Sequence, residues 1–211
     1  MPSNALSMDE VDQILNAVSR IKNPKFIIAS GSLSPGVPLD IYADLSKIAK
    51  KSGAKFIVDT SGEALKHAFT EGAYLIKPNL LEVAMLAGLE KIEVKDVERV
   101  AKELINKNTC EVIVVSLGAD GAILVTKNES HRVAAPKVEA KSTVGAGDSM
   151  VAGMVYALSK GFSFEKILQY GVASGTAATM NQGTELCKKK DVEILLAALS
   201  NQPSEKLKTE N

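Results

Sequence analysis

The stretch that decides the fold is Ser142-Thr143-Val144-Gly145-Ala146-Gly147-Asp148-Ser149-Met150. Two glycines one residue apart leave the backbone bare, and an apolar helical pattern follows them directly. The glycines are therefore predicted at a helix N-terminus, where free N–H groups and the helix dipole favour anions. Asp148 falls in the first turn, where a base would stand beside a bound phosphoryl group. A glycine-rich turn with an ordinary N-terminal acid explains the same residues, so this stretch alone is a hypothesis.

Strand and helix patterns alternate along the rest of the chain. Short apolar strands are predicted at 25–30, 56–59, 74–76, 112–115 and 122–126. Helices are predicted at 8–21, 39–51, 62 onwards, 79–87, 94–105, 146–160, 163–180 and 189–199. This alternation predicts an α/β fold of three layers, α/β/α, with a mainly parallel central sheet. With no repeat and no long linker, we expect one domain over residues 1–201 and a polar tail at 202–211.

The composition excludes several classes of function. The chain has 211 residues, 45% of them hydrophobic, and its 25 basic and 25 acidic side chains balance. The formal net charge is therefore zero, and charge gives no reason to expect a nucleic-acid or membrane partner. Cys110 and Cys187 are far apart in sequence and are expected to be reduced thiols of a cytoplasmic protein. His67 and His131 are isolated and expected at the surface, which argues against a Ser-His-Asp hydrolase.

Polar residues follow several predicted strands at their carboxyl ends. In parallel sheets, ligands bind beyond the carboxyl ends of the strands. Polar or glycine residues follow four predicted strands there: Ser30-Gly31-Ser32, Asp59, Lys77 with Asn79, and Ser116 with Gly118. The sequence therefore predicts that these residues converge on one site.

Two classes of nucleotide-binding protein fit this sequence poorly. A dinucleotide-binding oxidoreductase would need a third glycine where Met150 stands, and a buried strand before Gly145. A P-loop NTPase would need G-x-x-x-x-G-K-[ST], which does not occur.

Four ordered segments resemble the ribokinase-like sugar kinases, also called the phosphofructokinase B family. V-G-A-G-D at 144–148 is its signature, and the other segments are GSLSPG at 31–36, KPNLLE at 77–82 and VSLGADG at 115–121. The resemblance runs from residue 1 to about 200 and is closest to the 6-phosphofructokinase branch, through SGEAL at 61–65 and NQGT at 181–184. It implies a ribokinase-like fold.

The resemblance also implies an activity. We expect an ATP-dependent phosphosugar kinase that uses Mg²⁺ and converts fructose 6-phosphate to fructose 1,6-bisphosphate. Fructose 1-phosphate and tagatose 6-phosphate stay open as acceptors, and a non-catalytic ATP-binding fragment stays open as an alternative. Family members commonly dimerise through a small β lid, and the oligomeric state of this chain is left open.

The family's site residues map onto this chain position by position. Asp148 would be the general base and contact the sugar, while Gly145, Ala146 and Gly147 would donate backbone N–H groups to the transferred phosphate. Sugar contacts would come from Ser30, Gly31 and Ser32. Nucleotide contacts would come from Lys77, Asn79, Ser116, Gly118, Gly121, Thr143, Val172 and Thr176.

Two cation sites are implied in the same way. Asn79 and Glu82 would organise Mg²⁺ through water, although a helix-capping box explains their spacing equally well. A potassium ion would be bound by Ser142, Val144, Ala178, Asn181, Gly183 and Glu185. Two departures from one relative in the family stand out: Leu81 stands where that relative has a lysine, and Glu185 stands where it has a basic residue.

The family's N-terminal segment has no counterpart in this chain. That segment carries an aspartate for the sugar hydroxyls, a glycine-rich motif and the lid. We therefore expect Met1-Pro2 to correspond to an internal position of a longer protein. A gene fragment, a misplaced start and an engineered truncation all stay open.

Overall fold

The structure is a computed structural model that describes residues 4–107, 110–200 and the backbone of 205–206. The chain forms two compact units, Met1–Ile113 and Val114–Asn211. The boundary between the units lies inside a strand, Val112–Ser116, and not in a linker. The expectation of one domain over 1–201 stays a prediction.

The first unit alternates helices with parallel strands. In chain order its elements are α1 (Met8–Ser19), β1 (Phe26–Ser30), α2 (Ile41–Ser52), β2 (Lys55–Asp59), α3 (Gly62–Glu71), β3 (Leu75–Ile76), α4 (Leu80–Ala87), α5 (Val97–Lys107) and the start of β4 (Val112–Ser116). β1 pairs with β2, β2 with β3 and β3 with β4, all parallel. Their carboxyl ends therefore lie at one edge, as the strand-end argument requires.

Local sequence signals explain the helix boundaries in this unit. Ser7 and Glu10 form a capping box at the start of α1. Gly53 ends α2 and Gly88 ends α4, both in the left-handed conformation that glycine adopts without steric cost. The interior is filled by the largest fully buried side chains of the unit, namely Val11, Ile57, Val58, Leu65, Leu75, Ile76, Val83 and Ile113.

The apolar stripe of α1 is less buried than its pattern predicts. The sequence predicts one apolar helical face formed by Met8, Val11, Ile14, Leu15, Val18 and Ile21. Val11 is the only fully buried residue of α1, Leu15 and Val18 are half-buried, and Met8, Ile14 and Ile21 are exposed. Ile28 of β1 is exposed as well. Periodicity thus predicts the helix correctly but not which of its apolar residues are buried.

The second unit combines an antiparallel sheet with three long helices. It contains the end of β4, β5 (Ala122–Thr126), β6 (Ser130–Val133), α6 (Ala146–Ser159), α7 (Phe164–Thr179), α8 (Lys189–Ser200) and β7 (Glu205–Lys206). β5 pairs with β6 and β6 with β7, both antiparallel. α7 is the central helix of this unit, because it contacts α6, α8, β5 and β6.

Three glycines let α6 and α7 pack closely. A Cβ at Gly153 would lie 2.4 Å from Ser174 Oγ, and one at Gly171 would lie 2.6 Å from Met154 Cγ. A Cβ at Gly175 would lie 3.1 Å from the carbonyl oxygen of Ala146. Glycine inside a helix costs about 1 kcal/mol relative to alanine, so close backbone approach is the compensating gain here. The first turn of α6 is therefore held directly against α7.

The α/β expectation, with a mainly parallel sheet flanked by helices, is confirmed. Three details differ from the sequence prediction. β6 is a strand that the sequence did not predict, and His131 on it is buried at 2% exposure rather than at the surface. Two residues of the predicted polar tail, Glu205 and Lys206, form the short strand β7. No described helix is long and apolar enough to cross a membrane.

The connection between β4 and β5 depends on two glycines with different demands. Gly118 has φ +60° with open space where a Cβ would be. Gly121 has φ +94°, and a Cβ there would lie 2.0 Å from the carbonyl oxygen of Val133. Both positions disfavour side chains, but only Gly121 also lacks the room for one.

We expect Gly121→Ala to destabilise the protein far more than Gly118→Ala. The left-handed backbone alone should cost Gly118→Ala about 1–2 kcal/mol in the free energy of unfolding. Gly121→Ala adds a backbone collision and should cost more than about 3 kcal/mol. Chemical denaturation of both variants measures the difference. Equal losses would show that the packing against β6 is looser than described.

Cys110 should be inert towards thiol reagents. Its thiol is buried, and burial raises its pKa to about 12, so almost no thiolate is present at pH 8. Cys187 is partly exposed. Titration with a disulfide reagent should therefore modify one thiol rapidly in the folded chain and two after unfolding. Cys187→Ser should abolish the rapid reaction; two equally fast thiols in the folded chain would contradict the burial of Cys110.

Candidate functional site

The predicted sugar loop follows β1 and is anchored through its main chain. The N–H of Gly31 donates to the carbonyl oxygen of Asp59 at 2.9 Å. The carbonyl oxygen of Gly31 accepts from the hydroxyls of Tyr42, at 3.0 Å, and Thr60, at 2.9 Å. Gly31 has φ +108°, a conformation that glycine adopts readily. Ser30 and Ser32 flank this fixed point and are exposed.

Lys77 lies at the carboxyl end of β3 and is buried. Its Nζ is 3.1 Å from Oδ1 of Asp59, and the two side chains are 9% and 17% exposed. A solvated surface lysine is therefore excluded. Asp59 also influences Tyr42: burial raises the pKa of the Tyr42 hydroxyl, a hydrogen bond with Thr60 lowers it, and the negative charge of Asp59 raises it further.

Asn79 and Glu82 form the capping box of α4. Oδ1 of Asn79 accepts from the N–H of Glu82 at 3.0 Å, and Oε2 of Glu82 accepts from the N–H of Asn79 at 2.8 Å. Asn79 is exposed and Glu82 is partly exposed. The explanation of this pair as a helix-capping box is therefore correct. The capping box holds the two side-chain oxygens on one side of the helix start.

This donor set fits Mg²⁺ bound mainly through water. Carboxylate and amide oxygens are the ligands that Mg²⁺ takes, and it keeps several waters when few protein ligands are present. Among the described residues no cluster of three or more His, Cys, Asp or Glu side chains could hold a metal alone. Leu81, between the pair, is exposed and supplies no polar contact.

The start of α6 contains the residues predicted to bind an anion, and the N–H of Ala146 there donates to the carbonyl oxygen of Thr143 at 3.3 Å. Gly145 is the N-cap, with φ 76° and ψ 0°, and it has no side chain to occupy the N–H groups of the first turn. Asp148 is the third helical residue and is exposed, so its carboxylate lies in that first turn. The N–H of Ser149 donates to the carbonyl oxygen of Gly145 at 2.9 Å. This hydrogen bond completes the first helical turn, which contains Ala146 and Gly147.

The predicted nucleotide residues of the second unit occupy three settings. Gly118 and Gly121 bound a 3₁₀ turn in which the N–H of Leu117 donates to the carbonyl oxygen of Gly121 at 2.9 Å. Ser116, at the end of β4, and Thr143, before α6, are partly or fully exposed. Val172 and Thr176 lie on α7 and are buried, at 4% and 9% exposure. Their roles towards a nucleotide stay predictions.

The predicted potassium residues lie around the turn before α6. The hydroxyl of Ser142 donates to the carbonyl oxygen of Gly183 at 2.7 Å and accepts from the N–H of Val144 at 3.2 Å. The side-chain amide of Asn181 donates to the carbonyl oxygens of Ala177, at 3.3 Å, and Leu186, at 3.0 Å.

Ala178 and Glu185, two residues of the predicted potassium site, differ in the groups that they offer to a cation. The methyl side chain of Ala178 cannot bind a cation, and its carbonyl oxygen accepts from the N–H of Asn181 at 3.1 Å. Glu185 forms an ion pair with Lys188 at 2.9 Å, which offsets its negative charge. The hydrogen bond from Ser142 to Gly183 joins the turn before α6 to the segment after α7, and the role of these residues towards potassium stays a prediction.

Sequence reasoning gave Tyr42 and Thr60 no role. It placed Asp59 among the converging strand ends without assigning it a function, and Asp59 contacts both Gly31 and Lys77. The available signal was the pair Asp59-Thr60, two polar residues directly after a buried apolar strand. Tyr42 carries no such signal, because its hydroxyl reaches Gly31 from α2 only in the folded chain.

Comparison with known proteins identifies the family. A family model described as pfkB family carbohydrate kinase matches residues 1–191. The chain is 42% identical over 201 residues to the ATP-dependent 6-phosphofructokinase isozyme 2 of Escherichia coli strain K12, covering 95% of this chain and 65% of that protein.

Two solved structures of Escherichia coli phosphofructokinase-2 agree with this match. The complex with potassium has a TM-score of 0.89 at 42% identity, and the complex with fructose-6-phosphate has a TM-score of 0.87 at 39% identity. Each match covers 95% of this chain and 65% of the solved chain. The chain thus spans about two thirds of the length of these relatives, and it belongs to the pfkB family of carbohydrate kinases.

Proposed function

We propose that this chain transfers the γ-phosphate of ATP to fructose 6-phosphate, giving fructose 1,6-bisphosphate and ADP. The observation that carries the proposal is the open first turn of α6, with left-handed Gly145 at its start and Asp148 within it. The names of its relatives, 6-phosphofructokinase isozyme 2 and phosphofructokinase-2, support the acceptor. A cytoplasmic location, without a membrane or nucleic-acid partner, belongs to the same proposal.

The chemistry requires positioning and charge stabilisation more than covalent catalysis. The carboxylate of Asp148 accepts the proton of the acceptor hydroxyl as its oxygen bonds to the γ-phosphorus. The bond from that phosphorus to the bridging oxygen breaks, and ADP leaves. Backbone N–H groups at Gly145, Ala146 and Gly147 donate to the phosphoryl oxygens, and the dipole of α6 favours their negative charge.

The other predicted residues hold the two substrates. Lys77 offers its ammonium group to the ATP phosphates, and Asn79 and Glu82 hold hydrated Mg²⁺, which neutralises phosphate charge. Ser116, Gly118, Gly121, Thr143, Val172 and Thr176 surround the nucleotide. The loop of Ser30, Gly31 and Ser32 contacts the sugar. Three hydrogen bonds, with Asp59, Tyr42 and Thr60, fix the main chain of Gly31 in this loop.

The acceptor is tested by an assay that couples ADP release to NADH oxidation. The 211-residue chain is given MgATP with fructose 6-phosphate, fructose 1-phosphate or tagatose 6-phosphate. We expect the highest kcat/KM with fructose 6-phosphate. A preference for either other sugar would replace the acceptor but keep the kinase; ATP binding without turnover on any of them would favour a non-catalytic nucleotide-binding protein.

We expect potassium to raise the rate above that in sodium at equal ionic strength. The proposed ligands are mainly backbone carbonyls beside the start of α6, and the carboxylate of Glu185 is engaged by Lys188. A related structure is a complex with potassium. Initial rates in matched KCl and NaCl buffers, at fixed MgATP, measure the effect. Equal rates in the two salts would remove the cation from the proposal.

Asp148→Asn should lower kcat by about 10²–10⁴-fold, the usual size of a general-base contribution. The amide cannot accept the proton, whereas the exposed position should tolerate the change of shape. The coupled assay measures the loss, and thermal unfolding checks that the fold is kept.

The matched control for this variant is Asp191→Asn. Asp191 is the third residue of α8, as Asp148 is of α6, so both variants remove one carboxylate from a first helical turn. The control should change kcat less than about twofold, because a helix-dipole contribution is only about 0.3–1 kcal/mol and acts on stability. Similar rates for the two variants would remove Asp148 as the base.

A further inference from the structure

We infer that Asp59 is a positioning residue: its carboxylate fixes the ammonium group of Lys77, while its main chain fixes the sugar loop at Gly31. The inference rests on the proposed function, because it assigns Lys77 to the ATP phosphates. Asp59 is not given a contact with either substrate. It acts through the two groups that it holds.

The first support is the burial of the ion pair. Lys77 Nζ and Asp59 Oδ1 are 3.1 Å apart, with the side chains 9% and 17% exposed. Removing two charges from water is expensive, and apolar residues of the same size would often be as stable. A buried pair at the carboxyl ends of two parallel strands is therefore better explained by a need for the charge there than by stability.

The second support is that one residue fixes two loops. The side chain of Asp59 contacts Lys77 after β3, and its carbonyl oxygen accepts from the N–H of Gly31 after β1 at 2.9 Å. The next residue, Thr60, donates its hydroxyl to the carbonyl of Gly31 at 2.9 Å. The end of β2 thus sets the distance between the sugar loop and the lysine.

A lysine side chain needs such a partner if its ammonium group is to stay in one position. Its ammonium group ends a flexible four-carbon stem, and alone it would sample many positions. The carboxylate of Asp59 removes that freedom and compensates the charge within the protein. Lys77 can then meet a phosphate oxygen without first being ordered, which reduces the entropy lost on binding.

The test is a double-mutant cycle on MgATP binding, with Asp59→Asn, Lys77→Met and the double variant. Equilibrium titration of the full chain gives the dissociation constant without any turnover. Each single variant should weaken MgATP binding by roughly tenfold, within the range for coupled neighbours. In the Lys77→Met background, Asp59→Asn should cause no further loss. The double variant leaves no buried unpaired charge, so it tests the inference even where Asp59→Asn alone fails to fold.

A matched ion pair in the same unit provides the control. Lys102 Nζ and Glu98 Oε1 are 2.7 Å apart, with side chains 20% and 18% exposed. Glu98→Gln breaks a pair of similar burial on α5 and should leave the MgATP dissociation constant unchanged. A comparable loss for Glu98→Gln would mean that general destabilisation, and not the position of Lys77, explains the effect.

The outcomes separate this inference from the proposed function. Additive losses for Asp59→Asn and Lys77→Met, in a chain that binds MgATP, would overturn the positioning role and leave the kinase proposal standing. An unchanged dissociation constant in Asp59→Asn would do the same. A chain that neither binds MgATP nor phosphorylates any of the three sugars would overturn both.

Discussion

The chemistry proposed for this chain depends on one constraint, the open first turn of α6. Gly145 begins the helix in a left-handed conformation, and it has no side chain to cap the N–H groups of that turn, of which the Ala146 N–H donates to the carbonyl oxygen of Thr143 at 3.3 Å. Gly175 of α7 lets the two helices approach so closely that a Cβ would lie 3.1 Å from the carbonyl oxygen of Ala146. The turn is thereby held in place by packing, and an anion that binds there meets a prearranged group of donors rather than a mobile loop.

The first unit contributes a different part of the proposed site, with a lysine ammonium group and the predicted sugar loop at neighbouring parallel strand ends. Three neighbouring strands supply one part each: Gly31 after β1, Asp59 at the end of β2 and Lys77 after β3. The register of parallel strands fixes the spacing of these residues before any ligand is present. The buried pair of Asp59 and Lys77 then turns that spacing into a defined position of positive charge.

Sequence patterns predicted the order of helices and strands well, because apolar periodicity and glycine caps are local signals. They failed where an element lacks an apolar pattern or where its partners are distant in sequence. β6 has the sequence Ser-His-Arg-Val, which shows no apolar alternation, although it pairs with β5 across a short turn and His131 is buried. The burial of Lys77 depends on Asp59, eighteen positions earlier on another strand. The family motifs located the candidate site, but residues such as Tyr42 join it only through tertiary contacts.

The most direct test of the central claim is to identify the product by ³¹P NMR. The 211-residue chain is incubated with MgATP and fructose 6-phosphate, beside the Asp148→Asn variant. We predict a new phosphate ester at C1 of the sugar and equimolar ADP, formed at a rate that Asp148→Asn lowers by about 10²-fold or more. ADP with inorganic phosphate and no sugar ester, or an ester formed equally fast by the variant, would contradict phosphoryl transfer through the first turn of α6.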